Sequence, residues 1–100
     1  MNQKIKISDF SPHLFWDVKP GSLDIEKNQQ FITERVIQRG NRNDWKILEE
    51  TYKREQIKSQ VKKIDWLSDK DMAYVHLYFD ISYNEMRCYI IKQSTHYHWL

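Results

Sequence analysis

Staples and hinges are scarce in this sequence: 100 residues contain one cysteine, two glycines and two prolines. Cys88 has no second cysteine to pair with, which excludes an internal disulfide and the disulfide-dense design of small secreted domains. So little glycine and proline also argues against the frequent turns of a β-sandwich. Long apolar runs are missing: the densest stretch, Met72 to Phe79, is far below membrane-spanning length and contains His76. The first residues, Met1 to Ile7, are too polar for a signal peptide. A dominant charge is missing as well. Charged residues make up 30% of the chain with a net charge of +2, which permits a polyanionic partner without requiring one.

The groupings that carry catalysis are absent too. There is no glycine-rich phosphate loop, no cysteine pair and no His-Glu-x-x-His helix. His96 and His98 alternate along the chain with no third ligand close in sequence, so no metal site is expected. Cys88, between Arg87 and Tyr89, reads as a small core residue rather than a nucleophile. His76 sits among apolar neighbours and reads as a core or boundary histidine. The expectation is a non-enzymatic protein of the reducing cytoplasm that uses no cofactor and no membrane.

What the sequence has is apolar and aromatic weight, 40% and 14%, in helical periods. Residues 1–10 read as an arm rather than an edge strand. Ser11-Pro12 opens a single helical turn whose Phe15 and Trp16 cover the core, and Pro20-Gly21-Ser22 punctuates a turn. A long helix is predicted from about Leu23 to Arg39, with Ile25, Phe31, Ile32 and Val36 as its stripe. Gly40 is expected to stop it in a left-handed C′ position. Asn41 with Asp44 resembles a capping box and opens a second helix carrying Trp45, Leu48 and Tyr52. A break near Lys53-Arg54 leads to a third helix, Glu55 to Lys63, with Ile57 and Val61 inward.

Ser68 with Asp71 opens a fourth helix through about Phe79. With Met72, Val75 and Phe79 on one face and Tyr74, Leu77 and Tyr78 on others, it is apolar nearly all round, the pattern of a buried helix. Ser82 with Glu85 opens a last short helix, and residues 95–100 show no period. The fold class is therefore all-α: a small single-domain bundle of five or six short helices containing a helix-turn-helix-like pair. Its parts are an N-terminal arm (1–10), a helical domain (11–92) and an aromatic C-terminal tail (93–100).

Two binding surfaces stand out. On the third helix Arg54, Lys58 and Lys62 recur at i, i+4, i+8 as a basic stripe, flanked by Gln56, Ser59, Gln60 and Lys63. Basic side chains neutralise phosphates while Gln and Ser reach base edges, so these seven residues are the candidate DNA contacts of a recognition helix. A solvated helix face has the same composition. Phe15, Trp16, Tyr97 and Trp99 form the other candidate, an aromatic surface for a protein partner.

The runs Phe10-Ser11-Pro12-His13-Leu14-Phe15-Trp16-Asp17-Val18, Glu34-Arg35-Val36-Ile37-Gln38-Arg39-Gly40, Asp44-Trp45-Lys46, Leu77-Tyr78-Phe79-Asp80-Ile81 and Arg87-Cys88-Tyr89 resemble those of an uncharacterised family of small bacterial proteins, labelled only as a domain of unknown function. The resemblance extends over residues 9–99. Members of that family are often encoded beside nucleotidyltransferase toxins of the AbiEii/AbiGii type, so the resemblance implies an antitoxin-like or regulatory role. It brings no established site residues. Family members tend to have Tyr-Gly between the second and third helices, where this chain has Tyr52-Lys53, and lysine resists a left-handed turn.

Overall fold

The computed structural model describes residues 6–19 and 21–98, with side chains through Gln93. Among these residues are five α-helices and no strand: α1 (Gln29–Arg39), α2 (Arg42–Thr51), α3 (Arg54–Lys62), α4 (Asp69–Tyr78) and α5 (Arg87–His98). Single 3-10 turns at Ile7–Asp9, Pro12–Phe15 and Tyr83–Glu85 link and flank them. The all-α bundle expected from the periodicity is the fold observed.

Helix α1 is the hub. It packs against α2, α3, α4 and the Pro12–Phe15 turn. Ile32, Val36 and Ile37 point from it into a core completed by Leu14, Leu48, Ile57, Val61, Val75 and Phe79, all of them buried. A fully buried aliphatic or aromatic side chain of this kind contributes roughly 1.5–3 kcal/mol. The core begins at Phe10, only 2% exposed, so the last residue assigned to an arm belongs to the packed body. At the other end α5 runs without interruption across residue 93, where the aromatic tail was expected to begin.

The first helix starts six residues later than its apolar period suggested. Asp24 Oδ1 accepts from the backbone N–H groups of Glu26 and Lys27, and Asn28 Oδ1 accepts from Asp24 N. These side chains offer the backbone a turn in place of a helix, so regular helix begins only at Gln29. Ile25 still reaches the core, and its carbonyl accepts from the buried Tyr52 hydroxyl. Burial pushes that phenol up to about 12, helped by the nearby Asp24 and Glu26.

Gly40 ends α1, but not by a left-handed turn. Its φ of −75° and ψ of 154° are extended. Space is what demands glycine here: a Cβ would lie 2.6 Å from the Val36 carbonyl oxygen and 3.0 Å from Asp44 Cβ. Asn41 and Asp44 then form the expected capping box, each side chain accepting from the other's backbone N–H at 2.9–3.0 Å. Ser68 caps α4 by accepting from Asp71 N at 3.1 Å. The Ser82/Glu85 pair, by contrast, opens only one 3-10 turn with no side-chain cap, and α5 begins separately at Arg87.

The joint between α2 and α3 is two residues, Tyr52 (φ −121°, ψ 150°) and Lys53 (φ −69°, ψ 151°). Both are extended, so the left-handed turn that lysine would resist does not occur here and Lys53 carries no strain. Gln56 Oε1 accepts from Lys53 N at 2.9 Å and satisfies the first donor of α3. The chain's one non-glycine residue with positive φ among those described is Asp80 (56°), just beyond α4. There Ile81 N donates back to the His76 carbonyl at 3.2 Å, a Schellman-type closure that drives the buried Ile81 against the core.

Candidate functional site

The fourth helix was expected to be buried all round, and the structure corrects this. Met72 and Val75 enter the core with the capping Phe79, while Tyr74 is 57%, Leu77 80% and Tyr78 45% exposed. These three side chains stay open to solvent. The two tyrosine rings meet α2, where Arg42, Trp45, Lys46 and Glu49 fall at i, i+3, i+4, i+7 on one side of the helix. Between the two helices lies a cleft of about 590 Å³ lined by those four residues with Tyr74 and Tyr78.

The cleft is built rigidly. Trp45 stacks on Phe79 with centroids 5.7 Å apart and planes 10° apart, and meets the edge of Tyr78 at 5.3 Å. The Tyr78 hydroxyl donates to Glu49 at 2.8 Å, and that carboxylate pushes the phenol above its ordinary pKa. Arg54 braces the same corner from α3, donating to the Tyr78 carbonyl at 2.7 Å with its guanidinium 5.4 Å from the Phe79 ring. Tyr74 closes one side, tilted against Trp45 at 6.0 Å. Arg42 and Lys46 stand exposed at the other and form no ion pair with any described residue.

The basic stripe of α3 is largely engaged within the fold. Besides Arg54, Lys62 pairs with Glu85 at 3.1 Å, so the stripe runs along the connection from α4 to the Tyr83–Glu85 turn, with Lys58 half-buried between. Gln56 serves the cap of α3. Gln60 joins α3 to α1, its side chain donating to Gln29 Oε1 and its backbone carbonyl accepting from Gln30 Nε2, both at 2.9 Å. Lys58, Ser59 and Lys63 remain as the candidate DNA contacts without a side-chain partner among the described residues.

The aromatic candidates separate in the same way. Phe15 is half-buried, edge-on to Phe10 at 6.1 Å and tilted on Phe31 at 6.2 Å, and so belongs to the core's margin. Trp16 is 72% exposed and does not cover the core. The Tyr97 side chain and Trp99 lie outside the described residues. Near Phe15, Arg35 grips Asp17 with two bonds of 2.8 Å, donates to the Leu14 carbonyl and lies 4.4 Å from the Phe31 ring. Arg35 holds the Asp17 carboxyl down at about 2. Cys88 is buried, which raises its thiol pKa and fits its reading as a core residue. The described residues contain no cluster of three metal-ligating side chains and no helix long and apolar enough to cross a membrane.

A small all-α domain with an exposed aromatic cleft on its second and fourth helices is the class that fold and site define. The model of a family of unknown function, DUF6922, matches residues 10–61, and the chain belongs to that family. The match takes in the Pro12–Phe15 turn, α1, α2 and nearly all of α3, a shorter reach than the resemblance over residues 9–99. No curated protein and no solved structure matches the chain.

Proposed function

We propose that this protein is a non-enzymatic interaction module that docks a partner protein on the α2/α4 face. The observation that carries the reading is the half-buried Trp45 flanked by the exposed Tyr74 and Tyr78 in a cleft, with the exposed Leu77 on the same helix as the tyrosines. Rigid aromatic side chains beside an arginine are what protein interfaces are enriched in, and exposed apolar patches of this kind mark interaction sites. The resemblance to bacterial proteins encoded beside AbiEii/AbiGii-type nucleotidyltransferases names the partner to test, and with it an antitoxin-like role in the cytoplasm. Co-expressed with the neighbouring nucleotidyltransferase, the wild-type chain is expected to co-purify with it. The double variant Tyr74→Glu, Leu77→Glu should lose it while keeping its helical circular dichroism. Equal recovery of both would remove this face from consideration.

A second reading, DNA binding through α3, is favoured by the closely joined α2–α3 pair and by Lys58, Ser59 and Lys63. The exposed Lys62–Glu85 pair contributes little to stability, so Lys62 can exchange its partner for a phosphate. In this reading Lys58 and Lys63 hold phosphates and Ser59 meets a base edge. Retardation of the protein's own promoter fragment should weaken with salt and vanish in Lys58→Glu, Lys63→Glu. Wild-type protein that leaves the fragment unretarded at low salt excludes it.

A further inference from the structure

We infer that the α2/α4 cleft receives a short protein segment that is acidic where it meets Arg42 and Lys46 and seats one planar apolar side chain against Tyr74 and Trp45. The inference rests on the docking reading above and adds the chemistry of the partner.

Charge gives the first argument. Arg42 and Lys46 are one helical turn apart on α2, so two like charges share a face, an arrangement that weakens a helix unless an anion sits between them. No described carboxylate does so. Lys46 has Glu49 and Glu50 at the spacing for intrahelical pairs and pairs with neither, and Glu49 instead accepts from Tyr78. Other cations, such as Lys58 and Lys63, also lack a carboxylate partner among the described residues; what distinguishes Arg42 and Lys46 is that they line a cleft with three aromatic rings. Two cations at the rim of an aromatic cleft are therefore free for a partner's carboxylates, and such complementarity sets the register of an interface.

The second argument is the cleft's polarity. Glu49 lies one turn beyond Lys46, so the wall changes sign along α2. A nucleic-acid strand, negative along its whole length, would gain at Arg42 and Lys46 and be repelled at Glu49. A peptide can be acidic at one end only. The third argument is size: about 590 Å³ is the volume of a small-ligand site, room for one anchoring side chain and its neighbours rather than a whole helix. Because Trp45 is locked by Phe79 and Tyr78 by Glu49, little side-chain freedom remains to be lost when the anchor enters.

The test uses the full chain and three probes: a capped peptide Ser-Asp-Glu-Asp-Leu-Phe-Ser-Gln-Ser, the same peptide with lysine at its three acidic positions, and the oligonucleotide (dT)10. The readout is the indole N–H resonance of Trp45, assigned with Trp45→Phe. The acidic peptide should shift that resonance and bind about tenfold or more tightly than the lysine peptide, since like charges brought together across an interface are costly. The variant Arg42→Glu, Lys46→Glu should reverse the preference. That gain of binding to the lysine peptide cannot come from a misfolded chain. Equal binding of both peptides, a response to (dT)10 alone, or no response to any probe overturns the inference. If the probes fail but co-purification still depends on Tyr74 and Leu77, the docking face stands and only the acidic segment falls. If the acidic peptide binds yet co-purification is indifferent to those residues, the named partner falls instead.

Discussion

Truncating Asp44 to alanine should unfold the junction on which α2 is mounted. The side chain is fully buried and accepts two backbone N–H groups, from Ser11 at 2.8 Å and from Asn41 at 3.0 Å. The first of these ties the Pro12–Phe15 turn to α2 across 33 residues. Hydrogen bonds to a charged group contribute about 1.5–3 kcal/mol each. Ser11 is half-buried and Asn41 exposed, so water recovers part of the loss. A destabilisation of about 2–4 kcal/mol is therefore expected, a fall of roughly 10–25 °C in Tm for a domain of this size. Urea denaturation followed at 222 nm measures it, and an unchanged m-value certifies that the native state was what lost stability. Asp44→Asn keeps one accepting oxygen and should lie between wild type and alanine.

A backbone control separates this bond from general packing. Ser11 sits at φ −60°, an angle proline adopts, and Phe10 before it is extended, as a residue preceding proline must be. Ser11→Pro thus deletes the N–H donor with little strain, and Ser11→Ala accounts for the hydroxyl that accepts from Asn41 Nδ2 at 3.3 Å. In the Asp44→Ala background Ser11→Pro should cost at least about 1 kcal/mol less than in wild type. If Asp44→Ala lies within about 0.5 kcal/mol of wild type, or the two changes simply add, the carboxylate does not hold the junction.

Three further outcomes follow from single positions. Gly40→Ala places a methyl 2.6 Å from the Val36 carbonyl and should cost about 1–3 kcal/mol in the same urea assay, although its φ suits any residue. Asp80→Gly relieves a left-handed residue with an exposed side chain and should raise stability by about 0.5–1 kcal/mol; a loss would mean the carboxylate serves the closure of α4. The Asp17 pKa is lowered from 3.8 to about 2 in the fold, so the Asp17–Arg35 contribution is complete above about pH 4 and disappears as pH falls through about 2. The stability difference between wild type and Asp17→Asn, measured from pH 5 to pH 2, should narrow in that window; a constant difference would place the effect elsewhere.

Local chemistry was legible in the sequence wherever a residue acts on its own neighbours. Asn41 with Asp44 and Ser68 with Asp71 opened helices as written, because a cap is completed within four residues. Leu48, Ile57 and Val61 took the core positions their spacing assigned. The start of α1 was misjudged because an apolar period says nothing of Asp24 and Asn28 folding back on the backbone. Gly40 was rightly singled out for the wrong physics, since the demand is for space beside the Val36 carbonyl and Asp44 and not for a left-handed turn.

The candidate site was harder to read because its determinants are distant in sequence. Arg54, Lys58 and Lys62 formed a plain basic stripe on paper, yet Tyr78 and Glu85 occupy two of them from more than twenty residues away. Tyr74, Leu77 and Tyr78 carried the opposite error. Apolar character all round a helix suggests burial, but only the Met72 and Val75 side is buried, while Tyr74 and Tyr78 touch α2 and stay exposed. One signal was available: Arg42, Trp45, Lys46 and Glu49 already share a face of α2, and a tryptophan between two cations on an otherwise polar face asks for a cover.

The family match ends at residue 61, in the middle of this core. Ile64, Leu67, Met72, Val75, Phe79 and Ile81, all buried, come after it, as does the ring on which Trp45 is stacked. The shared segment is thus not a free-standing unit but a half-built one, with Leu48, Ile57 and Val61 needing a lid that the next helix provides. That lid is α4, and its outer face is the second wall of the cleft. Core and cleft are consequently each assembled from both stretches of chain. In this chain the helix that closes the core over the shared segment also supplies Tyr74 and Tyr78 to the cleft, so a change in how α4 seats would move the core and the cleft together.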